Sequence, residues 1–141
     1  MTLYLDTSVV VPLFIDEVGS ARVASWLVEQ GSVPLLSDLA AVEFQAVMSR
    51  LMRAGAIETE RAAVLRELFS IWSGESTESV ENLPVDIRSA ARLVQVPQPR
   101  LLAADATHLA TCQRLGLTLV TLDRDLQTIC EREGVTWVAP S

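Results

Sequence analysis

Four carboxylates in this chain sit where a fold would hold them near its interior: Asp6, Glu43, Asp105 and Asp123. The apolar run Leu3-Tyr4-Leu5 stops at Asp6, and Leu117-Thr118-Leu119-Val120-Thr121-Leu122 runs directly into Asp123-Arg124-Asp125. A buried strand ending in an acid places that acid at the carboxyl edge of a sheet, where open α/β folds bind their ligands. Glu43 has Leu39 and Ala40 behind it and Ala46 and Val47 ahead. Asp105 has Leu101 and Leu102 behind it and His108 and Leu109 ahead. Residues at those offsets share a helix face, so both acids fall on apolar stripes. A lone carboxylate facing a core is costly unless it is paired or metal-bound. Simpler roles stay open for two of them: Asp6 as the cap of the next helix, and Glu43 as the partner of Arg50 at the edge of its stripe.

If the two strands are central and parallel, Asp6 and Asp123 project from the same sheet edge. Crowded like charges disfavour ionisation, so such a cluster is expected to hold at least one carboxyl above its usual range. A divalent cation removes the penalty. Oxygen-only ligands, with no His/Cys set at metal-binding spacing, select magnesium or manganese over zinc. The chemistry that fits is metal-assisted phosphodiester hydrolysis.

The elements that must position these acids alternate along the chain. Strands are expected at Leu3–Leu5, Val33–Leu36, Ser79–Leu83, Leu117–Leu122 and Val135–Val138. Helices are expected at Val9–Ile15, Ala21–Gln30, Leu39–Ala54, Glu58–Ser73, Val85–Val94, Leu101–Leu115 and Leu126–Glu133. Thr7 or Ser8 and Ser37 or Asp38 are natural helix caps, while Gly31 and Gly116 are natural stops. The alternation predicts an α/β fold with a mostly parallel sheet. Residues 1–141 form a single domain with no internal repeat or linker. The surface of Glu58–Ser73, with Val64, Leu65, Leu68, Phe69, Ile71 and Trp72, is read as core packing.

Composition narrows the function further. Half of the 141 residues are hydrophobic and 21% are charged, which is ordinary globular usage. No apolar run reaches the roughly 20 residues of a membrane span, and the N-terminal stretch does not read as a signal peptide. A soluble, cytoplasmic protein is expected. The net charge is −7, and all 11 basic residues are arginine. Without lysine, P-loop and kinase chemistry are excluded. An acidic chain is also a poor non-specific nucleic-acid binder, so any such role must come from a local site with metal ions offsetting the carboxylates. Cys112 and Cys130 lack metal-ligand spacing and are expected reduced and packed.

Leu5-Asp6-Thr7-Ser8, Glu43 in the helix after the second strand, Ala104-Asp105-Ala106-Thr107-His108-Leu109-Ala110 and Val120-Thr121-Leu122-Asp123-Arg124-Asp125-Leu126 together resemble the four signature blocks of PIN-domain ribonucleases. Their order and the chain length resemble VapC toxins of bacterial toxin–antitoxin pairs. The resemblance implies a PIN-like, five-stranded parallel sheet flanked by helices, magnesium- or manganese-dependent endoribonuclease activity on RNA, a homodimer, and a cognate antitoxin partner. It also implies catalytic roles for Asp6, Glu43, Asp105 and Asp123, with Asp6, Asp105 and Asp123 as metal ligands. Thr7 or Ser8, and Thr121, match hydroxyls near the metal, and Asp125 matches a position that is acidic in only some members. Arg100 and Arg124 flank the site as candidate contacts to RNA phosphates. His108 is expected to make a structural hydrogen bond inside its helix. A non-catalytic PIN-like module that binds protein or RNA is the competing reading. A haloacid dehalogenase-type hydrolase fits poorly, since Leu126 and Thr128 do not supply its helper threonine and the chain has no lysine.

Overall fold

The strict alternation of Leu3, Tyr4 and Leu5 sends successive side chains to opposite faces of one sheet. Leu3 and Leu5 enter one core and Tyr4 enters the other, and all three are buried. The computed structural model describes Met1–Ser141. Its five strands are β1 (Leu3–Leu5), β2 (Leu35–Ser37), β3 (Glu78–Val80), β4 (Thr118–Val120) and β5 (Trp137–Val138). They form one sheet in the order β3-β2-β1-β4-β5, with every neighbouring pair parallel.

Seven helices flank the sheet: α1 (Thr7–Val10), α2 (Ser20–Glu29), α3 (Asp38–Arg53), α4 (Thr59–Ser76), α5 (Pro84–Leu93), α6 (Ala103–Leu115) and α7 (Arg124–Glu133). The core on the Leu3 and Leu5 face includes Val9, Phe44, Met48, Leu65 and Phe69. Phe44 and Phe69 stack there with centroids 4.1 Å apart, and Phe14 meets both edge-on. The core on the Tyr4 face includes Leu93, Leu109, Leu119, Leu126 and Ile129. No helix is long and apolar enough to cross a membrane.

Several boundaries differ from the sequence reading, each for a local reason. The helix expected at Val9–Ile15 begins at Thr7 and passes at Val11–Leu13 into a 3₁₀ turn that accommodates Pro12. The strand expected at Ser79–Leu83 is only Glu78–Val80, because β3 is an edge strand with Glu78 and Ser79 exposed. On α4 the core face is Ala62, Leu65 and Phe69, whereas Val64, Leu68 and Ile71 remain nearly half exposed, so its apolar surface is wider than its packing. Two capping expectations hold. Ser37 Oγ accepts from Ala40 N–H at 3.1 Å, and Gly116 ends α6 at φ 65°, a conformation that costs glycine no Cβ clash.

Candidate active site

The strand order reverses at β1, because the chain builds outward through β2 and β3 and then returns to add β4 and β5 on the other side. Such a switch point leaves a crevice at the carboxyl ends of the two strands where the order turns. Asp6 follows β1 directly, and its backbone N–H donates to Val120 O at 3.0 Å, which locks the ends of β1 and β4 together. Thr121 and Asp123 follow β4 into the same crevice.

Asp6 is 3% exposed, and two hydroxyls hold its carboxylate. Ser8 Oγ donates to Oδ2 at 2.6 Å and Thr121 Oγ1 donates to the same oxygen at 2.8 Å. Each hydroxyl is fixed in turn by a backbone donor, Leu122 N–H to Ser8 Oγ at 3.0 Å and Asp123 N–H to Thr121 Oγ1 at 3.1 Å. Both side-chain donors converge on Oδ2, which leaves Oδ1 without a partner in the chain. Asp6 occupies the cap position of α1 but makes no side-chain cap bond, so the simple capping role is excluded. Asp123 does cap a helix: its Oδ1 accepts from Leu126 N–H at 3.0 Å.

Glu43 enters from α3. The core face of that helix runs through Ala40, Phe44 and Met48, while Ala46 is exposed, so the stripe lies one residue away from where Glu43 alone would place it. Glu43 therefore flanks the core with its side chain 25% exposed. Its partner is not Arg50. Thr7 Oγ1 donates to Glu43 Oε1 at 2.8 Å, and His108 Nε2 lies 2.5 Å from the same oxygen. Burial on its own pushes this carboxyl up, yet the His108 and Thr7 hydrogen bonds outweigh it and hold the group below its usual range. The His108 contacts leave α6 altogether, reaching α3 on one side and the Tyr4 hydroxyl on the other, which corrects the expectation of a bond inside the helix.

Asp105, from the first turns of α6, is the opposite case. Burial, and then the charges of Asp6, Glu43 and Asp123, push its carboxyl up to about 7, with no hydrogen bond to relieve it. The repulsion expected of a crowded acid cluster is thus seen at Asp105. Yet no three acid, histidine or cysteine side chains stand close enough to share one ion. A ready-made cage of Asp6, Asp105 and Asp123 is thus absent. The reason is visible in the bonds: Asp6 Oδ2 is turned to hydroxyls, Asp123 Oδ1 to a helix end, and Glu43 Oε1 to His108.

The donor chemistry nonetheless fits a hard cation. Asp6 Oδ1 and the Asp105 carboxylate are oxygens without protein partners in a crevice of uncompensated negative charge, the setting that favours magnesium or manganese. A cleft of about 510 Å³ adjoins the crevice through Thr7, Ser8 and Asp123, with Glu17 and Arg50 on its walls. Arg50 is the arginine that lines this cleft. Arg100, Arg124 and Asp125 are exposed, and none of them forms an ion pair with the four acids. Asn82 and Tyr4, which complete the polar chain behind His108, carry no sequence signal beyond a lone tyrosine in an apolar strand.

Comparison with known proteins agrees with this fold. The PIN domain family model matches residues 3–132. The chain is 32% identical over 144 residues to Ribonuclease VapC35 of Mycobacterium tuberculosis, covering 98% of this chain and 96% of that protein. Two solved structures share the fold. Mycobacterium tuberculosis VapC20, a Sarcin-Ricin loop cleaving toxin, superposes with a TM-score of 0.71 at 16% identity, over 90% of this chain and 94% of that one. VapBC2 from Rickettsia felis, bound to a DNA fragment from its promoter, gives 0.71 at 13% identity over 100% of both chains.

Proposed function

The chain belongs to the PIN domain family, and from that premise we propose that it is a metal-dependent endoribonuclease, the toxin of a toxin–antitoxin pair. The observation that carries the reading is the pairing of Asp6 and Asp105 at the switch point, one carboxylate aimed by two hydroxyls and the other held within reach of its charge with no hydrogen-bond partner. Asp6 and Asp105 would hold magnesium or manganese, with Asp123 contributing directly or through water. When bound, the ion supplies positive charge against the scissile phosphate and acidifies a water molecule.

The chain's own groups do the rest. Ser8 and Thr121 keep Asp6 Oδ1 facing the crevice by occupying Oδ2. Thr7 and His108 occupy Glu43 Oε1, so the remaining Glu43 oxygen is the group that orients and deprotonates the attacking water. No side chain becomes attached to the RNA, and hydrolysis leaves a 5′-phosphate and a 3′-hydroxyl. Arg50, beside the cleft, is better placed than Arg100 or Arg124 to meet a backbone phosphate. We also propose a cognate antitoxin and a second copy of the chain as protein partners. The half-exposed Val64, Leu68 and Ile71 of α4 supply apolar surface for such association.

Purified protein incubated with a structured RNA and manganese should cut it, and EDTA should stop the reaction. Asp6→Ala and Asp105→Ala should each abolish cleavage. Cutting that survives EDTA, or products with a 2′,3′-cyclic phosphate, would refute this mechanism. Absence of any cutting by the metal-loaded wild type would favour a non-catalytic PIN-like binding module.

A further inference from the structure

Behind Glu43 a line of buried polar groups runs away from the crevice to the far end of α6. Arg114 Nε donates to Asp86 Oδ1 at 2.8 Å and Arg114 Nη2 to Asp86 Oδ2 at 2.9 Å, fixing Asp86 as an ionised acceptor. Thr111 Oγ1 donates to Asp86 Oδ2 at 2.9 Å. Its one proton has a second acceptor in Thr107 O at 3.1 Å, and with either engaged Thr111 can only accept from Asn82, whose Nδ2 lies 2.8 Å from it. The same Asn82 Nδ2 is 3.2 Å from the Tyr4 oxygen, so Tyr4 also accepts there and its own proton is free for His108 Nδ1, with which it is hydrogen-bonded. An imidazole that accepts at Nδ1 carries its proton at Nε2, the nitrogen facing Glu43. The donors therefore run in one direction, from Asn82 through Tyr4 to His108 and Glu43.

The arrangement has a local cost. Asn82 Oδ1 is buried with no partner, a state that destabilises a fold because the oxygen has lost its water without gaining a donor. An amide kept with its oxygen orphaned and its nitrogen on Tyr4 and Thr111 is doing something other than filling space. Tyr4 and His108 are also fully buried, and their rings meet edge-on with centroids 5.4 Å apart.

We infer that Tyr4 is a positioning residue for the proposed hydrolysis, fixing the tautomer and ring orientation of His108 and through it the aim of Glu43. This rests on the nuclease reading for its catalytic consequence, but its structural content does not. Tyr4 and His108 are the only tyrosine and the only histidine in the chain, so each gives a single spectroscopic signal.

The test compares wild type with Tyr4→Phe, which keeps the ring and removes only the hydroxyl. In protein labelled with ¹⁵N-histidine, the wild-type imidazole should show an unprotonated Nδ1 and a protonated Nε2, and Tyr4→Phe should shift the Nδ1 resonance and mix the tautomers. In manganese-dependent RNA cleavage, Tyr4→Phe should lower kcat about tenfold with KM little changed, the scale of losing a group that orients an active-site residue. In a His108→Gln background the same substitution should add no further loss. An imidazole spectrum identical in both proteins overturns the inference, as does an equal loss of kcat in both backgrounds. If Tyr4→Phe does not fold, Asn82→Leu removes the amide that directs the hydroxyl, and an unchanged imidazole spectrum there overturns it equally. A wild type that cuts no RNA refutes the nuclease reading alone and leaves the spectral comparison to decide.

Discussion

The Thr121 hydroxyl donates to Asp6 Oδ2 at 2.8 Å, joining residues 115 positions apart across the ends of the two central strands. Because Asp6 is almost fully buried, this bond holds the site and the sheet together at once. Thr121→Val preserves the shape and removes the donor, and should destabilise the protein by roughly 1–3 kcal/mol, the cost of stripping a partner from a buried acceptor. Urea unfolding should show a lower midpoint with an unchanged slope. A variant as stable as the parent would mean that Ser8 alone satisfies Asp6.

Asp105 gives the protein a pH dependence of definite sign. Its carboxyl is raised from 3.8 to about 7 in the folded chain. As pH climbs between those values, the unfolded chain has already lost this proton while the folded one keeps it. Stability from this group is therefore complete at low pH, falls across the window and stays low above it. Asp105→Asn should stabilise the fold near neutral pH and above by roughly 1–2 kcal/mol after allowance for solvent screening, seen as a raised melting temperature, and should do little near pH 4. A melting temperature lowered at alkaline pH would contradict the assignment.

Cation binding should compete with the same proton. A carboxylate must be ionised to act as a ligand, so manganese affinity measured by calorimetry should weaken as pH falls below about 7, by at most about tenfold per pH unit. Affinity that is flat across that range would remove Asp105 from the ligand set.

Cys112 and Cys130 are both free and buried. Burial pushes both thiols up, Cys130 to about 12. In the folded protein neither should react with a thiol reagent at neutral pH, and both should react on denaturation in urea. Rapid labelling of the native protein would show that α6 or α7 opens far more readily than its packing implies.

The fold and most of the site were legible because each rests on short-range pattern. An apolar run that stops at an acid marks Asp6, and the alternation of strands with capped helices marks the parallel sheet. What was not legible depends on contacts across the fold. Glu43 and Phe44 are adjacent, and only tertiary packing decides that Phe44 takes the core and Glu43 its rim. His108 reaches Tyr4 and Glu43, respectively 104 and 65 positions away, so its role has no local signature. β3 was drawn too long because an exposed edge strand has no apolar alternation to bound it.

The strand order also sets when this protein can begin to act. β1 pairs with β2, made soon after it, and with β4, whose residues Thr118–Val120 follow only after β2, β3 and most of the helices. On a ribosome, therefore, Asp6 waits for Thr121, made 115 positions later, and for Asp105 and Asp123. The long sequence separation delays closure of the central pair, as non-local parallel pairing does generally. A nascent chain cannot assemble the crevice before Asp123 has left the ribosome.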